Sequence, residues 1–517
     1  MRLAYAVTTA LVAGASVATL ALQSPVTAQT SQAQSAVYAA SAPRAGAPMS
    51  FADLAERLQP AVVNISTKER VQVSANPFAG TPFADMFGSM GGGDAGGGKP
   101  ITREAQSLGS GFIISEDGYI VTNNHVVSGH SDRGAPNATV SSITVIMPDR
   151  KEYAAKLVGH DATSDLAVLK IEAHGLPFVK FGDSAKARVG DWVIAIGNPL
   201  GLGGSVTAGI VSAIHRNIGN GGPYDRYIQT DASINQGNSG GPMFDLNGNV
   251  IGINSMIASP NGGSVGLGFA IPAELAKPII ETLKGGANVH RGYLGVQIQP
   301  LDEGIADSLG LQKDHGELVA SVVPGGAAAK AGVRQGDVIA RVNNQDVTPD
   351  QSLSFIVAGL PVGARVPIEV IRNGQHQTLT ATLAERPTEE KLALLGKSGR
   401  PGLSDDDGDK SSALASKASL GMALQTITPE IAQQLGVPES LKGVVIVGVD
   451  PSSNAAEVGL QRGDIILSVN QQSTLTPAQV NAVVSAAKAK GRNTVLLYAQ
   501  RGNNQPVFRP VKLVSDK

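Results

Sequence analysis

The chain has 517 residues, more than one hydrophobic core usually supports, so several domains are expected. Its 41 basic and 43 acidic residues leave a formal charge of −2, which excludes the electrostatic footprint of a nucleic-acid or anionic-membrane binder. Aromatics at 4% beside 62 glycines and 29 prolines favour many short strands over long helices, and the absence of cysteine removes disulfide and thiol chemistry.

Arg2, the uncharged run Leu3 to Leu22 and the small-x-small triplet Val26-Thr27-Ala28 read as a cleavable export signal over residues 1–28. A retained membrane anchor is the alternative, weakened by the Ala, Thr and Gly content of the run. Residues 29–49 are Ser, Ala, Gln and Pro, a flexible tether. Ser50 can cap a helix from Phe51 to Leu58 that Pro60 stops, and Ala61 to Thr67 reads as a first strand. A long loop over 71–106 follows, Gly-rich yet carrying Phe78, Met86 and Phe87, which points to a functional or interface role. From Gly109 to Lys284 short apolar runs alternate with Gly, Asn and Asp turns, the pattern of an all-β sandwich or barrel. Pro272 opens the one clear helix of this stretch, Ala273 to Leu283, and Gly285-Gly286 ends it.

The remainder carries an internal repeat. The run Gly316 to Val319, then Ala331 to Ile339 around Gly336-Asp337, recurs as Gly443 to Ile446 and Val458 to Ile466 around Gly463-Asp464, at a constant offset of 127 residues. Two related domains over 288–386 and 418–517 fit that spacing, joined by a polar linker over 387–417. The acidic run Asp405 to Asp409 is read as solvated linker, since no Glu stands at the twelfth position that a Ca²⁺ loop needs.

Amide hydrolysis by a serine needs a hydroxyl, an imidazole to take its proton, a carboxylate to orient the imidazole and N–H donors for the oxyanion. Gly237-Asn238-Ser239-Gly240-Gly241-Pro242 places Ser239 between glycines, whose positive φ lets the N–H groups of Gly237 and Ser239 point into one hole beside Asn238. A lipase-type G-x-S-x-G elbow is the rival reading, because Gly241 satisfies it. The order of partners decides. His125, after the apolar run Tyr119 to Val121, and Asp165, at the head of Leu166 to Ile171, both precede the serine, as in chymotrypsin-like enzymes. Asp161 competes with Asp165 for the orienting role. Gly201-Leu202-Gly203-Gly204 is no phosphate loop, since no helix pattern follows it.

Gly109-Ser110-Gly111-Phe112, Thr122 to Val127, Asp165 to Lys170, Ala195 to Pro199, Gln229 to Ala232 and Gly237 to Pro242 resemble, in order and spacing, the blocks of the HtrA (Deg/Do) serine proteases. The repeat resembles that family's C-terminal PDZ domains, and the likeness runs from about residue 50 to 517. It implies a mainly β chain: a trypsin-like double β-barrel over 50–287 made of two six-stranded antiparallel barrels, then two α+β PDZ domains. It also implies His125 as general base, Asp165 as its orienter, Ser239 as nucleophile, homotrimers or larger assemblies, and a periplasmic protein-quality-control role. The expected activity is ATP-independent cleavage of unfolded or misfolded exported proteins, with no metal or cofactor. A holdase chaperone and a PDZ adaptor on a dead protease are the rival classes. Tyr293-Leu294-Gly295-Val296 stand where the family binds a peptide carboxylate, and Leu420-Gly421-Met422-Ala423 depart from that pattern after the Gly. In trypsin-like folds the segments flanking the nucleophile build the substrate pocket, here Ile234 and Ile253 with no acid, so cleavage after small aliphatic residues is expected.

Overall fold

The computed structural model describes residues 50–73, 101–128, 138–199, 203–219, 222–388, 391–392 and 420–513. The signal segment, the tether, loop residues 74–100, Gly201-Leu202 and most of the linker 387–417 lie outside the described residues. The chain divides into two compact units, Met1–Asp53 and Leu54–Lys517. In the first, the hydroxyl of Ser50 accepts the N–H of Ala52 at 3.1 Å. The helix begins at Ala52 and runs to Leu58, one residue later than the sequence indicates.

The second unit opens with two closed barrels. In the first, β1 (Val62–Val73), β2 (Ile101–Ile113), β3 (Tyr119–Thr122), β4 (Ala138–Ile146), β5 (Glu152–Asp161) and β6 (Leu166–Ile171) close in the order β1-β2-β3-β6-β5-β4. The second joins β7 (Trp192–Gly197), β8 (Ser205–Arg216), β9 (Tyr227–Thr230), β10 (Pro242–Phe244), β11 (Val250–Ile257) and β12 (Gly268–Pro272) in the order β10-β11-β12-β9-β8-β7. Every pairing is antiparallel, so the expected pair of six-stranded barrels is present. The loop bounds need correction. β1 and β2 pair without a break from Val62↔Phe112 to Val73↔Ile101, so residues 71–73 and 101–106 belong to the ladder and only 74–100 lie between the strands. The mixed composition of these strand ends hides them from a hydrophobicity reading, because a ladder needs backbone groups and not apolar side chains.

Alternate residues fill each barrel: Val63, Ile65, Ile113, Ile120, Val145, Leu169 and Ile171 in the first, Val193, Val211, Ile228, Met243 and Ile251 in the second. The helix Ala273–Lys284 buries Leu275, Ala276, Ile279, Ile280 and Leu283 and packs on strands of both barrels, which fixes one against the other.

Each repeat domain is a six-stranded sheet with short helices, and its first strand, Val296–Pro300 or Met422–Thr426, is an edge. The Gly-Asp pair common to both repeats ends the preceding turn with a buried carboxylate. Asp337 is forked by Arg372 at 2.7 Å on each oxygen, and Asp464 by Arg501 at 2.6 and 2.9 Å. The same carboxylates also accept the N–H of Arg334 and of Gln461, so they hold the turn shut. The two repeats share a core in which Leu301, Ile305, Leu318, Val338 and Ile371 meet Leu496, Tyr498 and Phe508. Across that seam the Gln299 amide exchanges hydrogen bonds with the backbone of Phe508, at 2.8 and 3.1 Å.

Candidate active site

His125 does not extend from a strand end. It sits on a one-turn helix, Asn124–Val127, that follows β3. The turn is held by Thr67, whose hydroxyl donates to the carbonyl of Val126 at 2.9 Å, and its Val126 and Val127 are buried in the first barrel. The imidazole is therefore anchored on its apolar side while its own side chain keeps 45% exposure.

Asp165 enters β6 with φ of 55°, a left-handed turn that Asp tolerates better than most residues. That turn swings the carboxylate back over the helix. Nδ1 of His125 lies 2.8 Å from Oδ2 and 3.0 Å from Oδ1, and the backbone N–H of His125 donates to Oδ1 at 2.9 Å. Ser255 on β11 donates to Oδ2 at 3.0 Å, and Asn123 and Asn124 hold the Asp165 carbonyl at 2.9 and 3.0 Å. The carboxylate thus accepts from three donors, which keeps an ionised group only 24% exposed satisfied. Ser255 is a partner that the sequence does not single out. It reaches Asp165 from the second barrel, 90 residues on in the chain.

Asp161 is taken elsewhere. Both its oxygens bind the guanidinium of Arg291, which stands 130 residues on at the start of the first repeat domain and also donates to the Tyr224 hydroxyl at 2.8 Å. Ser164 donates to the same carboxylate.

On the serine loop Gly237 adopts φ of 95° and Gly240 of 84°. A side chain at Gly240 would collide with the Ser110 carbonyl, so glycine is required there by space as well as by φ. The N–H groups of Asn238, Gly240 and Gly241 are bonded to Asn235, Asn254 and Asn238 carbonyls. Among the described residues those of Gly237 and Ser239 meet no internal acceptor. Asn238 itself is 4% exposed and packs against Gly197, where any Cβ would collide with its amide.

Ile234, at 1% exposure, packs in the second barrel with Val193, Ile228 and Met243, and its side chain touches Gly268 on β12. Ile253 is as deeply buried as Ile234 and stands between Pro242 and Ile271. Beyond Ser255, which faces Asp165, Met256 and Ile257 of β11 are partly exposed. Ile257 pairs with Gly268 and packs on the Ile234 cluster. Which residues of β11 face the cleft is set by strand register, which periodicity alone does not fix.

In the first repeat domain Tyr293 pairs with Ala384, Leu294 is buried in the core, Gly295 has φ of 78°, and Val296 begins the edge strand. The four residues thus form the loop at the head of an edge strand, opposite the helix Leu353–Ala358.

A double β-barrel with a His-Asp pair and a glycine-flanked serine at its cleft, followed by two peptide-binding modules, defines a trypsin-like serine endopeptidase with PDZ domains. Residues 109–253 match the trypsin-like peptidase domain family, and 292–383 and 445–498 match PDZ domain families. The chain is 43% identical over 500 residues to a probable periplasmic serine endoprotease DegP-like of Brucella suis, covering 92% of this chain and 90% of that one. It is 39% identical over 485 residues to the protein of that description from Rhizobium meliloti, covering 88% and 90%. Among solved structures it is similar to the HtrA-type protease AlgW with decapeptide, at 39% identity and TM-score 0.52, covering 66% of this chain and 100% of that one. The chain belongs to the HtrA-type, DegP-like serine endoproteases.

Proposed function

We propose that this protein is a periplasmic endoprotease that cleaves unfolded or misfolded exported polypeptides, without ATP, through an acyl-enzyme on Ser239. His125 takes the proton of the Ser239 hydroxyl as that oxygen attacks the scissile carbonyl, and returns it to the leaving amine. Asp165 holds the imidazole with Nδ1–H toward itself, leaving Nε2 as the base, and stabilises the imidazolium that forms. The oxyanion is received by the N–H groups of Gly237 and Ser239, in a loop that Asn238 packs in place. Water then releases the acyl group by the same steps in reverse roles. The 2.8 Å contact between His125 and Asp165 is the observation that carries this reading.

Ile234 and Ile257 give the pocket for the residue before the scissile bond apolar walls, and an unpaired Lys or Arg there would be costly, so cleavage follows small aliphatic residues. The edge strand Val296–Pro300 takes a polypeptide C-terminus as an added strand, its carboxylate at Leu294-Gly295. Relatives named as periplasmic support the location, and family likeness supports export by a cleaved signal and assembly into homotrimers or larger oligomers, which sedimentation would check. The decisive comparison is casein turnover by wild type and by Ser239→Ala. A loss of roughly 10⁶ in turnover is expected, not additive with His125→Ala. Cleavage by Ser239→Ala within tenfold of wild type would overturn the assignment and leave a holdase as the better reading.

A further inference from the structure

The block Gly109-Ser110-Gly111-Phe112 has so far no part in the chemistry, yet the N–H and the hydroxyl of Ser110 are both spent at the serine loop. Ser110 is fully buried on β2, in the first barrel. Its hydroxyl donates to the carbonyl of Gly237 at 2.5 Å, and its N–H donates to the carbonyl of Ser239 at 2.9 Å. The Asn198 N–H, from the second barrel, donates to the Ser110 hydroxyl oxygen at 2.8 Å. With a lone pair so engaged, the hydroxyl proton is directed at Gly237. The Ser110 carbonyl accepts from Thr122 at 2.7 Å, and the Asn64 amide ties the carbonyls of Gly109 and Asn198 together at 3.2 and 2.9 Å.

We infer that the Ser110 hydroxyl is the positioning group of the oxyanion hole, and this rests on the Ser239 reading given above. The two hole donors are the N–H groups of Gly237 and Ser239. The carbonyl of Gly237 belongs to the peptide plane between those residues, and the carbonyl of Ser239 to the plane just after them. Ser110 binds both carbonyls, so both planes are pinned to one buried residue of the opposite barrel, and the Ser239 N–H between them cannot turn. The hydroxyl is needed because Gly237, at φ of 95°, has no side chain of its own to resist rotation of that plane. Ser110 touches no substrate. It acts only by keeping donors aimed at where charge develops, which costs no reorganisation during the reaction.

The test compares wild type, Ser110→Ala, Ser110→Cys and Ser239→Ala in the full-length protein. It reads kcat and KM on a chromogenic peptide and the affinity for a peptidyl trifluoromethyl ketone, whose adduct carries a tetrahedral oxyanion. Folding is checked by circular dichroism. In Ser110→Ala, kcat should fall roughly 10- to 100-fold with KM within about threefold, and ketone affinity should fall by the same factor as kcat/KM. Ser110→Cys, similar in size but a weak donor, should lose less than Ser110→Ala but more than twofold. A folded Ser110→Ala or Ser110→Cys enzyme with kcat within twofold of wild type overturns the inference. So does a lowered kcat with unchanged ketone affinity, which marks a merely structural lesion. Either variant suffices if the other cannot be purified. If Ser239→Ala keeps its turnover, the nucleophile reading itself fails, whatever the Ser110 variants do.

Discussion

Nδ1 of His125 stands 2.8 Å from Oδ2 of Asp165, while Asp161, four residues earlier in the chain, gives both of its carboxylate oxygens to Arg291. The two acids are therefore not interchangeable. Asp165→Asn should lower kcat by roughly 10⁴, because an amide no longer selects the reactive tautomer. Asp161→Asn should keep turnover within tenfold but loosen the attachment of the first PDZ domain, since Arg291 is only 5% exposed and would lose its countercharge. Peptide kinetics and limited proteolysis near residue 291 check the two outcomes, and the reverse pattern would move the orienting role to Asp161.

Substrate preference follows from the pocket walls. Mass spectrometry of peptides released from an unfolded protein should show cuts mainly after Val, Ile or Ala. Ile234→Ala should admit larger residues such as Leu or Phe, shifting relative kcat/KM by about 10- to 100-fold. Cuts mainly after Lys or Arg would contradict an apolar pocket.

Glu317 lies on the strand Glu317–Val322 of the first PDZ domain, beside the head of the helix Leu353–Ala358. Burial pushes its carboxyl up to about 7, opposed only by the Leu353 N–H that it accepts, and its Oε2 has no partner. A carboxyl whose folded value is raised binds its proton more tightly in the fold, so the stability it confers is complete below about pH 4.5. It is lost as pH rises through about 7. The loss is at most about 3 kcal/mol. Glu317→Gln should flatten that part of the pH dependence and raise the thermal midpoint of this domain at pH 8. Equal pH slopes in variant and wild type would show that another group is responsible.

The two Gly-Asp pairs differ in exposure. Arg372 is 16% exposed beside Asp337, whereas Arg501 is 49% exposed beside Asp464. Removing Asp337 leaves a more deeply buried cation, so Asp337→Ala should destabilise its domain by about 3 kcal/mol. Asp464→Ala should cost clearly less, because solvent can take over for the arginine. Denaturant midpoints of the full chain measure both, and equal losses would contradict the exposure argument.

The barrels, the repeat and the order His125, Asp165, Ser239 were legible because each is written in consecutive residues: alternating runs, a fixed offset, glycines around a serine. Less was legible where two distant segments meet. Nothing near Asp161 announces Arg291, and nothing near Asp165 announces Ser255, since a partner 130 or 90 residues away leaves no local periodicity. The burial of Ile253 was not legible for a related reason. Strand register decides which residues of Val250–Ile257 reach the cleft, and two faces of a fully buried strand look alike in sequence. The ends of β1 and β2 went unread because a ladder is made by backbone pairing, which composition does not mark.

The clasp between Gln299 and Phe508 sets a ruler on the first PDZ groove. In the proposed mode, a ligand added to Val296–Pro300 would run from its carboxylate at Gly295 toward Pro300, advancing about 3.4 Å per residue. At Gln299, the fourth residue of that strand, the second PDZ domain is already bound to the side chain. In the binding mode proposed above, the last three or so residues of a client would dock on the first PDZ domain alone, and a longer tail would run along the second domain or turn away, so the seam would divide short C-terminal signals from extended ones.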